Sequence, residues 1–141
     1  MNTNPAALQA HAHELAAAFR VRLIEAAALR PEEALGIAHI RVALCSPIVD
    51  DTTYAVALHE IGHLAAPLGL VRTVATGDRG NLIRIEEDAA WTWARHYALA
   101  WTPAMDAVAR WAEGTYAPPP APIPTAPTTP RTPAINWKEW K

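Results

Sequence analysis

The apolar residues near the start of the chain recur at helical intervals. Between residues 5 and 30 they follow one another three or four positions apart, at Leu8, Ala12, Leu15, Phe19, Leu23 and Ala26. Such spacing places side chains on one face of an α-helix. Pro5 suits the first turn of a helix, and Pro31 cannot continue one. The pattern therefore predicts one long helix over residues 5–30.

A shorter period follows over residues 37–45. Apolar side chains alternate there in part, with Ile40, Val42 and Leu44 on one face, which is typical of a β-strand. Pro47 then interrupts the run. We predict a strand over residues 37–45 at an edge of a small sheet, where an extended peptide could pair with its main chain.

The next helix is predicted from its caps and from a long uncharged stretch. Asp50, Asp51 and Thr52 are candidate N-caps, and the helix is expected to reach about Ala66 before Pro67. Apart from one Glu and two His residues, its second half holds only uncharged small or apolar side chains. A helix of this kind is expected to be buried on nearly all sides.

Two more helices complete the predicted domain. One is expected over residues 81–101, with Asn81 as a candidate N-cap, and another from Pro103 to about Gly114. A short strand is possible over residues 70–74. Together these elements predict an α+β fold, a compact domain of three to four helices with a small sheet of two or three strands.

The composition changes abruptly after Tyr116. Residues 117–134 contain eight prolines, which disfavour both helix and sheet. The last residues include Trp137 and Trp140. We therefore predict a folded domain over residues 1–116 and a Pro-rich, flexible tail with a Trp-containing C-terminus over residues 117–141.

Charge and composition narrow the classes of function. The 141 residues carry a formal net charge of −2, without the block of Lys or Arg that marks a nucleic-acid-binding face. One cysteine cannot form an internal disulfide, which favours a reducing compartment. No signal-peptide pattern is present, nor the run of about eighteen apolar residues that a membrane span requires. We expect a cytoplasmic protein that binds neither nucleic acid nor membrane.

Residues 59–63 read His-Glu-Ile-Gly-His within the second predicted helix. Because residues four apart share a helix face, His59 and His63 can hold one metal ion. Zinc (Zn2+) suits imidazole and carboxylate ligands and keeps a position for water. Glu60 lies about 100° around the helix and can accept a proton from that water as a general base. Two histidines and a glutamate in a buried helix need partners such as a metal ion, because unpaired polar groups are costly to bury.

A third zinc ligand is expected on the following helix, where Glu86, Glu87 and Asp88 are adjacent. One stripe of that helix, expected to face the core, consists of Ile83, Glu87, Ala90, Ala94, Tyr97 and Trp101. Glu87 is the only charged residue on this stripe, whereas Asp88 shares a face with polar residues. Glu86 lies between the two faces. We predict Glu87 as the third ligand, with Glu86 as the alternative.

The remaining aromatic residues and the cysteine are predicted to be structural. Trp91, Trp93, Trp101 and Trp111 are expected to pack in the core or at its rim, because each can bury a large apolar area. Cys45 is expected to be a buried apolar residue, since no second cysteine or neighbouring base accompanies it.

Two segments together resemble the ImmA/IrrE-type metallopeptidases. Segment 57–64 reads Ala-Leu-His-Glu-Ile-Gly-His-Leu, and segment 87–94 reads Glu-Asp-Ala-Ala-Trp-Thr-Trp-Ala. The resemblance covers about residues 37–101 and implies a zincin core of the minimal gluzincin type, with Glu87 as third ligand and Glu60 as catalytic residue. It also implies action on a regulatory protein, such as a repressor, in bacteria. Trp91 stands where family members usually have a small polar residue.

The sequence thus predicts a hydrolase, a zinc metallopeptidase that cleaves an intracellular protein. His59, His63 and Glu87 would hold zinc, and Glu60 would activate its water. The alternative is a non-catalytic zincin-like module that binds a regulatory partner. A third possibility, hydrolysis of a small-molecule amide, would require a closed pocket rather than an open groove.

Overall fold

The computed structural model describes residues 4–66 and 79–116 of the chain. Its helices are α1 (Pro5–Ala18), α2 (Asp51–Ala65), α3 (Arg79–Tyr97) and α4 (Pro103–Tyr116). Its strands are β1 (Arg22–Glu25), β2 (Ala34–Ile37) and β3 (Val42–Cys45). Four helices and a three-stranded sheet among the described residues confirm the predicted α+β class.

The prediction of one helix over residues 5–30 is wrong beyond Ala18. Arg20 adopts a left-handed conformation with a φ of 58°, and the amide of Val21 donates to the carbonyl of Ala16 at 2.8 Å. This arrangement closes the C-terminus of α1. Leu23 continues the helical spacing along the sequence but is buried in β1. A single apolar residue is compatible with both the helical and the strand periodicity, so its position alone does not distinguish them.

The prediction of one strand over residues 37–45 is also wrong, because the chain turns within it. β2 ends at Ile37, Ala38–Ile40 forms a 3-10 turn, and Arg41 has a φ of 52° before β3 begins. The strand order is β1-β3-β2, with β3 parallel to β1 and antiparallel to β2. The edge strand that contacts α2 is therefore β2, and β3 lies at the centre.

The side chain of Arg41 joins this turn to the ends of two helices. Its guanidinium donates to the carbonyl oxygens of Phe19 at 2.6 Å, Arg20 at 3.0 Å and Leu64 at 3.2 Å. Carbonyls at helix C-termini lack partners within the helix, so these bonds satisfy them. The contact with Leu64 holds the end of α2 immediately after His63.

Helix α2 lies at the centre of the molecule and has the bounds that the sequence predicts. Asp50 caps it with a carboxylate that accepts from the amide of Thr53 at 2.8 Å, and the Thr53 hydroxyl accepts from the amide of Asp50 at 3.1 Å. The helix packs against the sheet and the other three helices. Every residue from Thr53 to Gly62 is buried except Glu60, which is half-buried.

Helices α3 and α4 lie where helices are predicted, with somewhat different ends. α3 begins at Arg79 rather than at Asn81 and ends at Tyr97 rather than at Trp101. α4 begins at Pro103 as predicted and continues to Tyr116. Neither these helices nor the others in the described ranges are long and apolar enough to cross a bilayer.

Two predictions concern other parts of the chain. The possible short strand over residues 70–74 and the Pro-rich tail over residues 117–141 lie outside the described residues. The division into a domain over residues 1–116 and a tail therefore stays a prediction.

Candidate metal centre

Two imidazoles of α2 point towards the same position. The Nε2 atoms of His59 and His63 are 3.0 Å apart, and the ring centroids are 4.4 Å apart in an edge-to-face arrangement. The side chain of His59 is 8% exposed and that of His63 is 20% exposed. The helical spacing in the sequence thus brings both nitrogens to one point near the surface of the core.

Helix α3 supplies the third group of this cluster. The carboxylate of Glu87 places Oε2 at 2.9 Å from Nε2 of His59 and Oε1 at 3.0 Å from Nε2 of His63. Glu86, the alternative candidate, is half-buried and acts on His63 at longer range through its charge. Of the two glutamates, Glu87 is therefore the one with a carboxylate between the two imidazoles.

A close crossing of α2 and α3 makes these contacts possible. Gly62 lies against the backbone of α3, where an added Cβ would be 2.8 Å from the carbonyl oxygen of Ala90. Ala90 is one turn after Glu87 along α3. Glycine at position 62 thus lets the two helices approach closely enough for Glu87 to reach both histidines.

The chemistry of the three groups fits a zinc ion. Oε2 of Glu87 is buried and makes no hydrogen bond, although it lies 2.9 Å from Nε2 of His59. Two imidazoles and one carboxylate are a common ligand set for zinc, which leaves a further position open. Zinc bonds of about 2.0–2.1 Å in a tetrahedron set ligand atoms roughly 3.3 Å apart. The separations of 2.9–3.0 Å are close to that value.

Glu60 lies beside this cluster, between α2 and the edge strand. A carboxylate oxygen of Glu60 and one ring nitrogen each of His59 and His63 all lie within 4.8 Å of one another. A Cβ added at Gly36 of β2 would be 3.3 Å from Oε2 of Glu60. Burial raises the pKa of this carboxyl to about 7, while His63 lowers the pKa and Glu87 raises it further. A carboxyl group with such a pKa can both accept and release a proton near neutrality.

The charges of the cluster are set by burial and by contact with Glu87. Burial lowers the pKa of His59, which favours a neutral ring. Burial also acts to lower the pKa of His63, but the interaction with Glu87 outweighs it and raises the pKa. Burial acts to raise the pKa of Glu87, yet the two imidazoles hold it at about 2. Glu87 is thus a carboxylate at neutral pH, the form that binds metals.

The indole of Trp91 packs directly on His59. The two rings are stacked, with centroids 4.1 Å apart and planes at 25°. Trp91 is 2% exposed, in agreement with the core position predicted for it. Nδ1 of His59 is buried and has no hydrogen-bond partner among the described residues. Metal-binding histidines usually donate this N–H to an oxygen, whereas here an aromatic face orients the ring.

A cavity opens beside His59 and Glu60. Its volume is about 180 Å³, and its apolar lining includes Val56, Trp91 and Val108 of α2, α3 and α4 together with Ala34 of β2. The lining also includes Glu32, which precedes β2, and Trp111 on α4. Both are exposed, so they lie on its open side. With 61% exposure, Trp111 is not a core residue but a rim residue.

The sequence pattern did not point to Gly36, Glu32 or Trp111 as part of this site. An isolated glycine within an apolar run is a known signal of a close backbone approach, and Gly36 has that role beside Glu60. Trp111 joins the site through the packing of α4 on α2, and Glu32 through the packing of β2 on α2, for which the sequence offers no comparable signal.

Comparison with known proteins assigns no family to this arrangement. Searches of protein-family models, of curated proteins and of solved structures found no match. The resemblance to the ImmA/IrrE-type metallopeptidases therefore stays a prediction that depends on segments 57–64 and 87–94.

Proposed function

We propose that the protein is a zinc-dependent peptidase in which His59, His63 and Glu87 bind the metal. The observation that carries this proposal is the convergence of three ligand groups from two helices, with separations of 2.9–3.0 Å, next to a fourth group that is suited to proton transfer. A structural metal site would have no need of Glu60 at this position.

The ligands and the base have separate roles in the proposed reaction. A bound zinc ion supplies Lewis acidity, which makes water a better nucleophile and polarises a carbonyl group. His59 and Glu87 form the more buried part of the ligand set, and His63 completes it closer to solvent. A carboxylate oxygen of Glu60 takes the proton from the attacking water and delivers it to the nitrogen of the departing amine.

The edge strand suggests how a substrate is held. Among the described residues β2 pairs only with β3, so its other edge has no strand partner there and offers a place where an extended peptide could pair. The carboxylate of Glu60 lies beside Gly36 in the middle of this strand. A peptide on the free edge of β2 would therefore pass close to the general base. An unfolded or loop segment fits this mode, and the predicted substrate is an intracellular, regulatory protein met in the cytoplasm.

A cleavage assay with two glutamine variants tests the proposal. The full chain, loaded with zinc, is incubated with a degenerate peptide library and the products are identified by mass spectrometry. We expect Glu60→Gln to lower the cleavage rate by about 100-fold or more while zinc stays bound, because general-base catalysis contributes about that much. Glu86→Gln is the matched control and should retain both cleavage and zinc.

The alternative function is a partner-binding module that does not turn over substrate. Wild-type protein that binds zinc but cleaves no peptide of the library would support the module. Equal cleavage by wild type and Glu60→Gln would show that Glu60 is not the general base and would overturn the proposed mechanism.

A further inference from the structure

The cavity beside Glu60 has features that hydrolysis itself does not require. It extends from the candidate metal centre towards α4 and the segment before β2, where neither a zinc ligand nor a general base is needed. We propose that this cavity binds the side chain of an arginine or lysine adjacent to the scissile bond. The proposal rests on the proposed function, and it adds a substrate class to it.

The size and walls of the cavity suit one long side chain. Its volume of about 180 Å³ is similar to the roughly 150 Å³ of an apolar cavity that binds benzene. Val56, Trp91, Val108 and Ala112 provide apolar surface along it. The aliphatic stem of an arginine or lysine packs on such surface while its charged end stays near water.

The charges of the lining favour a cation. The ionisable residues that line the cavity are Glu32, His59 and Glu60, and no Lys or Arg of the described chain lines it. Glu32 makes no ion pair with any described residue, whereas its neighbour Glu33 contacts Arg30 at 3.4 Å. A bound zinc ion would add positive charge at the His59 end of the cavity, so the preference for a cation arises at the opening, where Glu32 would repel an acidic side chain and attract a basic one.

Trp111 provides a second preference for a cation at the same opening. Its indole is 61% exposed although it is one of the largest apolar side chains of the chain. A guanidinium or ammonium group is attracted to the face of a tryptophan ring, and tryptophan is frequent among residues that dominate binding energy. Glu32 and Trp111 lie on different elements and line the same cavity, so both groups that attract a cation belong to one site.

The proposal can be tested without turnover, by comparing two small probes of equal shape. Butylguanidinium carries the charge of an arginine side chain, and butylurea is its neutral counterpart. Each is titrated into the full-length protein, and binding is followed by NMR at the indole N–H of Trp111, assigned through Trp111→Phe. We expect butylguanidinium to bind at least about fivefold more tightly than butylurea, a modest ratio because the carboxylate is exposed.

Three variants show whether the named residues are responsible. In Glu32→Gln the ratio of the two dissociation constants should fall at least about twofold, with a remainder that comes from the Trp111 ring, while in the matched control Glu33→Gln it should be unchanged. Ala112→Leu should weaken both probes, because it fills the cavity. Equal binding of the two probes to wild type, no binding of either at tens of millimolar, or a preference that is undiminished in Glu32→Gln would each overturn the proposal.

Cleavage profiling then separates this proposal from the proposed function. If the library is cleaved without enrichment of Arg or Lys next to the cut, the peptidase stands and the pocket assignment fails. If the probes bind as expected but no peptide is cleaved, the pocket stands as a binding site for basic side chains and the peptidase proposal fails.

Discussion

At Gly36 the absence of a side chain leaves space for the carboxylate of Glu60. A Cβ at this position would be 3.3 Å from Oε2 of Glu60, closer than most such contacts. We expect Gly36→Ala to displace Glu60 by a few tenths of an ångström and to lower the turnover rate several-fold, because proton transfer depends on position. Zinc content should not change, since the three atoms nearest to the added Cβ belong to Glu60 and Leu64 and not to a proposed ligand.

Gly114 offers the matched control for this substitution. An added Cβ there meets nothing within 4 Å. Gly114→Ala should therefore keep full activity and stabilise α4 by up to about 1 kcal/mol, the difference between the two residues in a helix. Full activity in Gly36→Ala would contradict the placement of Glu60 as the base.

Glu25 is the residue that joins α1 to the segment before α2. Its carboxylate accepts hydrogen bonds from Gln9 at 2.7 Å and from the amide of Ile48 at 2.8 Å, and it contacts Nε2 of His13 at 2.8 Å. We expect Glu25→Gln to lower the free energy of unfolding by about 1–2 kcal/mol at neutral pH, because bonds to a charged acceptor are lost. Chemical denaturation measures this, and Glu33→Gln should change it by less than about 0.5 kcal/mol.

The contribution of Glu25 should also depend on pH in a defined direction. Burial acts to raise its pKa, but the bonds from Ile48, His13 and Gln9 outweigh burial and lower the pKa below its usual 4.5. A carboxyl with a lowered pKa stabilises the fold fully above the unfolded pKa and loses this effect as pH falls through the folded one. The difference between wild type and Glu25→Gln should therefore be constant near pH 7 and shrink below about 4.5. A difference that grows on acidification would contradict this account.

At the scale of elements, the crossing of α2 and α3 decides whether the ligands meet. A Cβ at Gly62 would be 2.8 Å from the carbonyl oxygen of Ala90 and 3.2 Å from the Trp93 ring. Because the first of these atoms is backbone, α3 must move as a whole to make room. We expect Gly62→Ala to cost about 1–3 kcal/mol of stability in spite of its better helix propensity, as overpacking usually does, and to weaken zinc binding by moving Glu87.

Denaturation and zinc titration of the same variant test this expectation. Unchanged zinc affinity together with lowered stability would show that Glu87 is not held by this crossing. Unchanged stability would show that the helices have more freedom at Gly62 than the 2.8 Å approach indicates.

The elements also show which patterns in the sequence were sufficient. α2 was predicted at nearly its observed bounds because a capping residue, Asp50, and an uncharged stretch point to the same helix. The long helix over residues 5–30 failed because Leu23 fits the helical period but belongs to β1, which exists only through its pairing with β3. A strand that forms through pairing with a segment distant in sequence is only weakly indicated by its own residues.

At the scale of the whole molecule, the ligand groups were easier to predict than their surroundings. Spacing along α2 and α3 pointed to His59, His63 and Glu87 as the proposed ligands, with Glu86 as the alternative, because each position follows from the phase of one helix. The stack of Trp91 on His59 and the cavity lining by Trp111 depend on how helices cross. Contacts of this kind arise when helices pack together, and the spacing of apolar residues within one helix does not predict them.

Zinc binding is the property on which the proposed metal centre and the proposed role of Glu60 both depend. Elemental analysis of the full chain, after equilibration with zinc and removal of the excess, measures it for wild type, Glu87→Ala and Glu86→Ala. The account predicts about one zinc per chain in wild type and in Glu86→Ala, and its loss in Glu87→Ala, because only Glu87 has a carboxylate between the two imidazoles. Wild-type protein that takes up no zinc, or that retains it fully in Glu87→Ala, would contradict the account.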